Sequence, residues 1–332
     1  MLDNLHIRPA DSADLDRAVD LFNRESTALN GTRDFNADDV RVEWSTPGFD
    51  PTHDTRIAVD DDGVARGYVE VWNTSRPFVR PTAWFAMDPR VTDDGLALQL
   101  LSWARSRAET DLPKAPPDAM VTFATYAYEH DPAGRRRCES FGLYEARRYY
   151  RMEISLDDPI EEPRVPATYV VRAMSPGEER ATYRAVFDAF ADHFGVPRDR
   201  DFDEGFARWK HDFLDDPKLD PELFLIAVTD AGGVAGVSMS VPWDGDDRDT
   251  GWVEQLAVTR EHRGRGVGRA LLTATFRAMR AKRKRRAGLG VDATSLTGAT
   301  RLYESCGMRP SRTTILYSLV LREGEDYRRT SA

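Results

Sequence analysis

The chain repeats itself, and an internal repeat of this length limits the possible architectures before any motif is considered. Leu100-Leu101 and Leu271-Leu272 stand 171 residues apart, and the patterns around them correspond over nearly all of the 332 residues. In the first half, Leu5-His6-Ile7-Arg8 reads as a short strand, followed by Ser12 as N-cap and Leu15, Ala18, Val19 and Phe22 at helical spacing. In the second half, Tyr169-Val170-Val171-Arg172 precedes Ser175, Pro176 and Glu178, the N-cap, N1 and N3 residues of a capping box. Tyr183, Val186, Phe187 and Phe190 then line one helix face. Each half continues with two β-rich runs joined by a turn, 56–59 and 64–72 around Asp61-Asp62-Gly63, then 223–228 and 234–241 around Gly232-Gly233. A third run, 82–87 or 252–258, leads through a turn into the helix that carries the Leu pair. Near the end of each half, Cys138-Glu139-Ser140-Phe141-Gly142-Leu143 is echoed by Tyr303-Glu304-Ser305-Cys306-Gly307-Met308. The predicted fold is α/β, with two tandem domains, each a mixed, mostly antiparallel sheet flanked by helices.

The predicted domains span 1–156 and 168–321. A linker at 157–167, rich in Pro and acidic residues, joins them, and a mobile tail without apolar periodicity covers 322–332. With 46 Lys and Arg against 56 Asp and Glu, the net charge of −10 repels polyanions and argues against nucleic acid as a main partner. Cys138 and Cys306 are too few for a disulfide framework and stand at no metal-ligand spacing with the six His, so a reducing compartment and no metal are expected. The first residues lack the features of a signal peptide, and no run approaches the roughly 18 apolar residues that span a bilayer. A cytoplasmic protein without membrane attachment is expected.

Only the second half carries an anion-binding turn. Run 252–258 enters Thr259-Arg260-Glu261-His262-Arg263-Gly264-Arg265-Gly266-Val267-Gly268 and then a helix. Glycines at a strand-to-helix turn let backbone N–H groups approach an anion, and the helix N-terminus adds about half a positive charge, an arrangement suited to pyrophosphate. The Gly-x-Gly-x-x-Gly dinucleotide fingerprint is not met, and no Gly-Lys-Ser/Thr follows as a Walker loop requires. The pattern Arg263-x-x-Gly266-x-Gly268 resembles the acyl-CoA loop of the GCN5-related N-acetyltransferase (GNAT) superfamily, and Gln255-Leu256-Ala257-Val258 sits where that family has its Leu-x-Val strand. The stretch from Thr297 to Met308 resembles the family's Ala-x-x-Leu-Tyr-Glu-x-x-Gly-Phe block. The Asn often found seven residues before the tyrosine is here Leu296, so the resemblance does not extend to contacts from 293–297.

The resemblance implies acetyl-CoA as acyl donor. The pantetheine would run along Gln255, Leu256, Ala257 and Val258, which splay from run 288–292, with the Val258 N–H as oxyanion donor. The amides of Arg263, Gly264, Arg265, Gly266, Val267, Gly268 and Arg269 would hold the pyrophosphate, with the Arg263 and Arg265 side chains adding charge-assisted contacts. Tyr303 would be the general acid for the leaving thiolate, or else a Tyr packed on the sheet. Glu254 would deprotonate the amine, or is a plain exposed strand carboxylate. Asp192, His193, Phe194 and Trp243 would contribute to an acceptor pocket, although His193 also suits a helix-dipole partner, and Trp243 and Trp209 suit a core. The basic run Lys282-Arg283-Lys284-Arg285-Arg286 reads as a solvated helix end, and Asp244-Gly245-Asp246-Asp247 as a hairpin tip or a steering patch for a cation.

The first half resembles the same domain with its donor site lost. Arg263, Gly264 and Arg265 correspond to Thr92, Asp93 and Asp94, Gly266 and Gly268 to Gly95 and Ala97, and Tyr303 to Cys138. Two carboxylates at a helix N-terminus repel phosphate. The expected activity is N-acetylation of a primary amine on a small molecule, as monomer or homodimer. The tandem layout is similar to that of the mycothiol synthases, which acetylate a cysteinyl amine. Protein acetylation, or acyl-CoA binding without turnover, would also fit these motifs.

Overall fold

A computed structural model describes residues 5–192, 196, 200–216, 218–294 and 298–327. Among these run twelve strands: β1 (His6–Arg8), β2 (Thr55–Val59), β3 (Ala65–Trp72), β4 (Thr82–Met87), β5 (Val121–Tyr128), β6 (Tyr144–Ser155), β7 (Tyr169–Ala173), β8 (Phe224–Thr229), β9 (Val234–Val241), β10 (Thr250–Val258), β11 (Arg286–Asp292) and β12 (Arg309–Arg322). The chain divides into two compact units. Among the described residues, one comprises those in 5–148 and 313–327, the other those in 149–312.

The two units have the same internal plan. In the first unit the strands take the order β1-β2-β3-β4-β5-β12, antiparallel throughout except for β4 beside β5. In the second they take the order β7-β8-β9-β10-β11-β6, antiparallel except for β10 beside β11. Helices α1 (Leu15–Asn30), α2 (Ala37–Trp44), α3 (Pro51–Asp54), α4 (Asp94–Glu109) and α5 (Pro132–Ser140) belong to the first unit. The second unit has α6 (Glu179–Ala189), α7 (Phe202–Trp209), α8 (Val267–Ala281) and α9 (Ala299–Ser305). This is the mixed, mostly antiparallel α/β architecture expected from the repeat.

The unit bounds differ from the sequence-based domains 1–156 and 168–321 because backbone pairing, and not chain order, decides membership. From Tyr149 onward β6 pairs with β11, which carries 149–156 into the second unit, and from Thr314 β12 pairs with β5, which carries 313–327 into the first. An open sheet edge leaves a row of N–H and C=O groups unpaired, and a repeat in sequence does not say which strand covers it. The stretch 157–167 is not free-standing. It belongs to the second unit, where Glu162 pairs with Arg277 at 2.7 Å, Asp158 O accepts from Arg280 at 3.1 Å and Glu161 pairs with Arg269. Of the expected mobile tail, Glu325 is held by hydrogen bonds to Asp118 O at 2.7 Å and from Met120 N at 2.8 Å, while 328–332 lie outside the described residues.

Both units open with the same electrostatic latch. Arg8 grips Asp14 through two hydrogen bonds, at 2.5 and 2.8 Å, and Arg172 grips Glu178 through two at 2.7 Å. In the first unit the N-cap is Asp11, not Ser12, and Asp14 closes the box. The basic run at the end of α8 meets acidic partners: Lys282 with Asp220 at 2.6 Å, Arg285 with Asp157 at 2.9 Å and Arg286 with Asp247 at 2.8 Å. No helix among the described residues is long and apolar enough to cross a membrane.

The helix that follows the fourth strand of each unit packs over a glycine. A Cβ on Gly67 would lie 2.8 Å from Leu100 Cδ1, and one on Gly236 would lie 2.9 Å from both Leu271 Cδ1 and the Ala257 carbonyl oxygen. The carbonyl is backbone and cannot swing aside. Gly236→Ala is therefore expected to lower stability by about 1–3 kcal/mol, the usual cost of overpacking, read as a shift in urea midpoint at unchanged slope. An unshifted midpoint would contradict this packing.

Candidate active site

The site begins where β10 and β11 part. Their parallel pairing runs from Thr250↔Arg286 to Val253↔Leu289 and stops, although β10 continues to Val258 and β11 to Asp292. The cause lies in β10, whose register against β9 shifts between Val253 and Gln255, so that Glu254 is the extra residue of a bulge. A bulge bends and twists its strand away from the regular ladder. Past it, Thr259 N donates to Ala235 O at 3.0 Å. By the alternation of an antiparallel ladder, Gln255 and Ala257 then face β9, whereas Leu256 and Val258 turn their N–H and C=O groups into the opening.

The turn after β10 completes a cradle. Gly264 and Gly266 have φ of 69° and 84°, in the left-handed region that favours glycine, and α8 starts at Val267 with no side-chain cap. The first-turn N–H groups of α8 thus lack intrahelical acceptors and sit at the positive end of its dipole, a ready anion site. A Cβ on Gly268 would come within 3.2 Å of Leu302 Cδ2 and 3.5 Å of Val258 Cγ2, so the absent side chain keeps the passage between strand and helix open.

These elements enclose a cleft of about 340 Å³. It is lined by Leu256, Ala257, Val258, Arg263, Gly264, Gly266, Val267, Gly268, Arg269 and Tyr303, most of the residues singled out in the sequence. Others lie elsewhere. Gln255 accepts a hydrogen bond from Trp209 Nε1 at 3.1 Å on the α7 side, and Trp209 is buried in an aromatic cluster. Glu254 and Arg265 are exposed. Trp243 stands beside Arg248 and Lys284, whose cations lie 4.1 and 5.9 Å from its ring. Asp192 closes a short 3-10 turn, Phe190–Asp192, and His193 and Phe194 lie outside the described residues, as do 295–297. The lining also holds Ala189, Phe190, His262, Gly298, Ala299 and Leu302, which sequence reasoning did not name as site residues. Of these, Phe190 stood on the apolar face of its helix, His262 in the glycine turn, and Gly298, Ala299 and Leu302 in the block from Thr297 to Met308; Ala189 had no local signal.

The charged and polar side chains around the cleft are largely committed. The Arg263 guanidinium donates to Val258 O at 3.1 Å and to Ala189 O, the last carbonyl of α6, at 2.7 Å. Arg269 donates to Ser305 O and Oγ at 3.1 and 3.0 Å and pairs with Glu161. His262 Nδ1 lies 2.9 Å from the Tyr169 hydroxyl. Tyr303 is 7% exposed, and its hydroxyl has no hydrogen-bond partner among the described residues. Burial, with Cys306 nearby, pushes the phenol up to about 12, so it carries its proton at neutral pH. No group of three or more His, Cys, Asp and Glu among the described residues could hold a metal ion.

The corresponding positions of the first unit are filled by the chain itself. Met87, at the Val258 position, donates its N–H to Glu25 Oε1 at 3.0 Å. Asp93 accepts from Gly95 N at 2.8 Å, capping α4, and Asp94 pairs with Arg137 at 2.6 Å. Burial pushes the Glu25 carboxyl up to about 7; the Met87 N–H opposes the shift and Asp131 adds to it.

Fold and cleft define an acyl-CoA-dependent acyltransferase, and comparison with known proteins agrees. The family model described as Acetyltransferase (GNAT) family matches residues 183–308. The crystal structure of a GCN5-related N-acetyltransferase from Sphaerobacter thermophilus is 30% identical, with a TM-score of 0.80 and 98% of each chain covered. The chain belongs to the GCN5-related N-acetyltransferase family. A tandem GNAT protein from the clavulanic acid biosynthesis pathway shares the fold at 15% identity, with a TM-score of 0.72 and coverage of 97% of this chain and 100% of that one. The mycothiol acetyltransferase of Thermobispora bispora is 31% identical over 197 residues, which cover 58% of this chain and 64% of that protein.

A carboxyl whose folded pKa exceeds its unfolded value destabilises the fold progressively as pH rises between the two. For Glu25 that window runs from 4.5 to about 7. Glu25→Gln keeps an acceptor for Met87 and removes the charge, so the variant should gain stability on the wild type across this window, by at most about 3 kcal/mol, and hold the gain above it. Urea titrations at pH 5, 6, 7 and 8 check this. A difference independent of pH would contradict it.

Proposed function

We propose that the chain is an acetyl-CoA-dependent N-acetyltransferase that acts on a primary amine of a small molecule, by direct transfer in a ternary complex, with the second unit as the catalytic one. The observation that carries this reading is the meeting of the β10 opening, the uncapped α8 N-terminus and Tyr303 in one cleft. The residues present fit the donor. First-turn amides of α8 and the glycine turn would take the pyrophosphate, and Leu256 and Val258 would offer backbone groups to the pantetheine amides.

Acyl transfer to an amine needs a stabilised oxyanion, a base for the amine proton and an acid for the thiolate. The Val258 N–H, turned into the opening, would stabilise the oxyanion. Tyr303 would return a proton to the thiolate, since burial keeps its phenol protonated. Glu254, exposed at the bulge beside the opening, would take the amine proton directly or through water. The first unit would serve a structural or acceptor-shaping role, because Glu25, Asp93 and Asp94 stand where donor groups would bind.

A narrower reading is favoured by the mycothiol acetyltransferase relative: the acceptor would be the amine of a small cysteinyl thiol. A panel of small amines with and without a neighbouring thiol, followed by thiol release from acetyl-CoA, separates the two readings.

Tyr303→Phe should lower kcat by about 10²–10⁴ and leave the affinity for CoA nearly unchanged, the signature of a group that acts in proton transfer and not in binding. Equal turnover in the variant would remove Tyr303 from the mechanism. No turnover by the wild type with any amine would leave acyl-CoA binding as the function.

A further inference from the structure

We infer that Arg263 is a positioning residue for the oxyanion amide and does not bind the donor's phosphates, an inference that rests on the acetyltransferase reading above. Five residues after Val258, its guanidinium returns across the turn to donate to the Val258 carbonyl at 3.1 Å, and also donates to Ala189 O at 2.7 Å. The two acceptors lie on different elements, the end of β10 and the end of α6, so one planar cation ties both to the loop.

The geometry gives this contact a catalytic consequence. In an extended strand the N–H and C=O of one residue point the same way, so the Val258 carbonyl opens into the same gap as the Val258 N–H. An unpartnered carbonyl oxygen there would be costly to bury, and its partial negative charge would lie beside the oxyanion that the N–H has to stabilise. Arg263 takes that carbonyl, leaves the N–H to the substrate and places a cation next to the developing charge. At the other end of the guanidinium, the last carbonyl of α6 is the negative end of a helix dipole, where a cation is favourable.

The rest of the loop makes a phosphate role for the side chain unnecessary. The left-handed Gly264 and Gly266 and the uncapped first turn of α8 already present backbone donors to an anion. The first unit provides the contrast. There Thr92 stands at the Arg263 position, and the N–H at the Val258 position, that of Met87, goes to the Glu25 carboxylate.

The test compares Arg263→Lys, Arg263→Gln and Arg263→Met with the wild type in two measurements: CoA affinity by equilibrium dialysis, and kcat and KM for acetyl transfer to the best amine of the panel. Positioning predicts CoA affinity within about threefold of wild type in all three variants. It also predicts a kcat at least about tenfold lower in Arg263→Met, partly restored in Arg263→Lys, the size of effect expected when an oxyanion donor loses its support. Loss of CoA affinity by more than about tenfold with kcat intact would overturn the inference and make Arg263 a phosphate ligand. Should Arg263→Met fail to fold, Arg263→Gln keeps a neutral donor and decides the same question. If no amine is acetylated by the wild type, the acetyltransferase reading fails, and the dialysis values alone still separate a clamp from a phosphate contact.

Discussion

The separation of β10 from β11 is the constraint on which the second unit depends. Strands leave a sheet at a cost in backbone hydrogen bonds, and here the cost follows from one inserted residue, Glu254, that breaks register with β9. The consequence is a pair of residues, Leu256 and Val258, whose backbone polar groups face a cleft and not a neighbouring strand. Everything else in the site is arranged around that opening. The glycine turn brings the α8 N-terminus to one end, Leu302 and Tyr303 of α9 close one side, and Arg263 takes the carbonyl that the opening exposes.

The first unit shows what the same plan becomes when it fills itself. It has the same parallel pair, and its α4 follows the fourth strand as α8 does, yet a side chain of α1 occupies the backbone N–H that the second unit leaves to a ligand. A half-buried carboxyl is a demanding substitute for a ligand. The hydrogen bond from Met87 compensates only in part, which is why the Glu25 carboxyl stays at about 7 and not in the usual range. Asp93 and Asp94 complete the exchange at the helix N-terminus: one caps Gly95, the other pairs with Arg137. Internal capping gives a unit that retains the plan of the domain with its donor groups already satisfied.

Much of this was legible in the sequence because it is written in local patterns. The repeat predicted two domains of one architecture, and the spacing of Arg263, Gly266 and Gly268 after a strand located the cradle. What the sequence did not reveal depends on groups far apart in the chain. Glu25 meets Met87 across 62 residues, and no periodicity on α1 marks that carboxylate as different from its neighbours. The pairing of β6 with β11 and of β12 with β5 follows from which edges need covering, information that a repeat does not contain. Arg263 was legible as a motif residue, but the reach of its side chain back to Val258 and Ala189 is a matter of loop geometry. Gln255, expected along the donor path, faces β9 because the alternation restarts after the bulge, and the pairing partner that reveals a single extra residue lies on another strand.

The account stands on a single donor site, in the second unit. Calorimetric titration of the purified chain with acetyl-CoA tests it most directly. The account predicts one site per chain, lost in Gly266→Val, where a β-branched residue cannot take the left-handed turn at φ 84°. Two sites per chain, or one that survives in Gly266→Val, would contradict it.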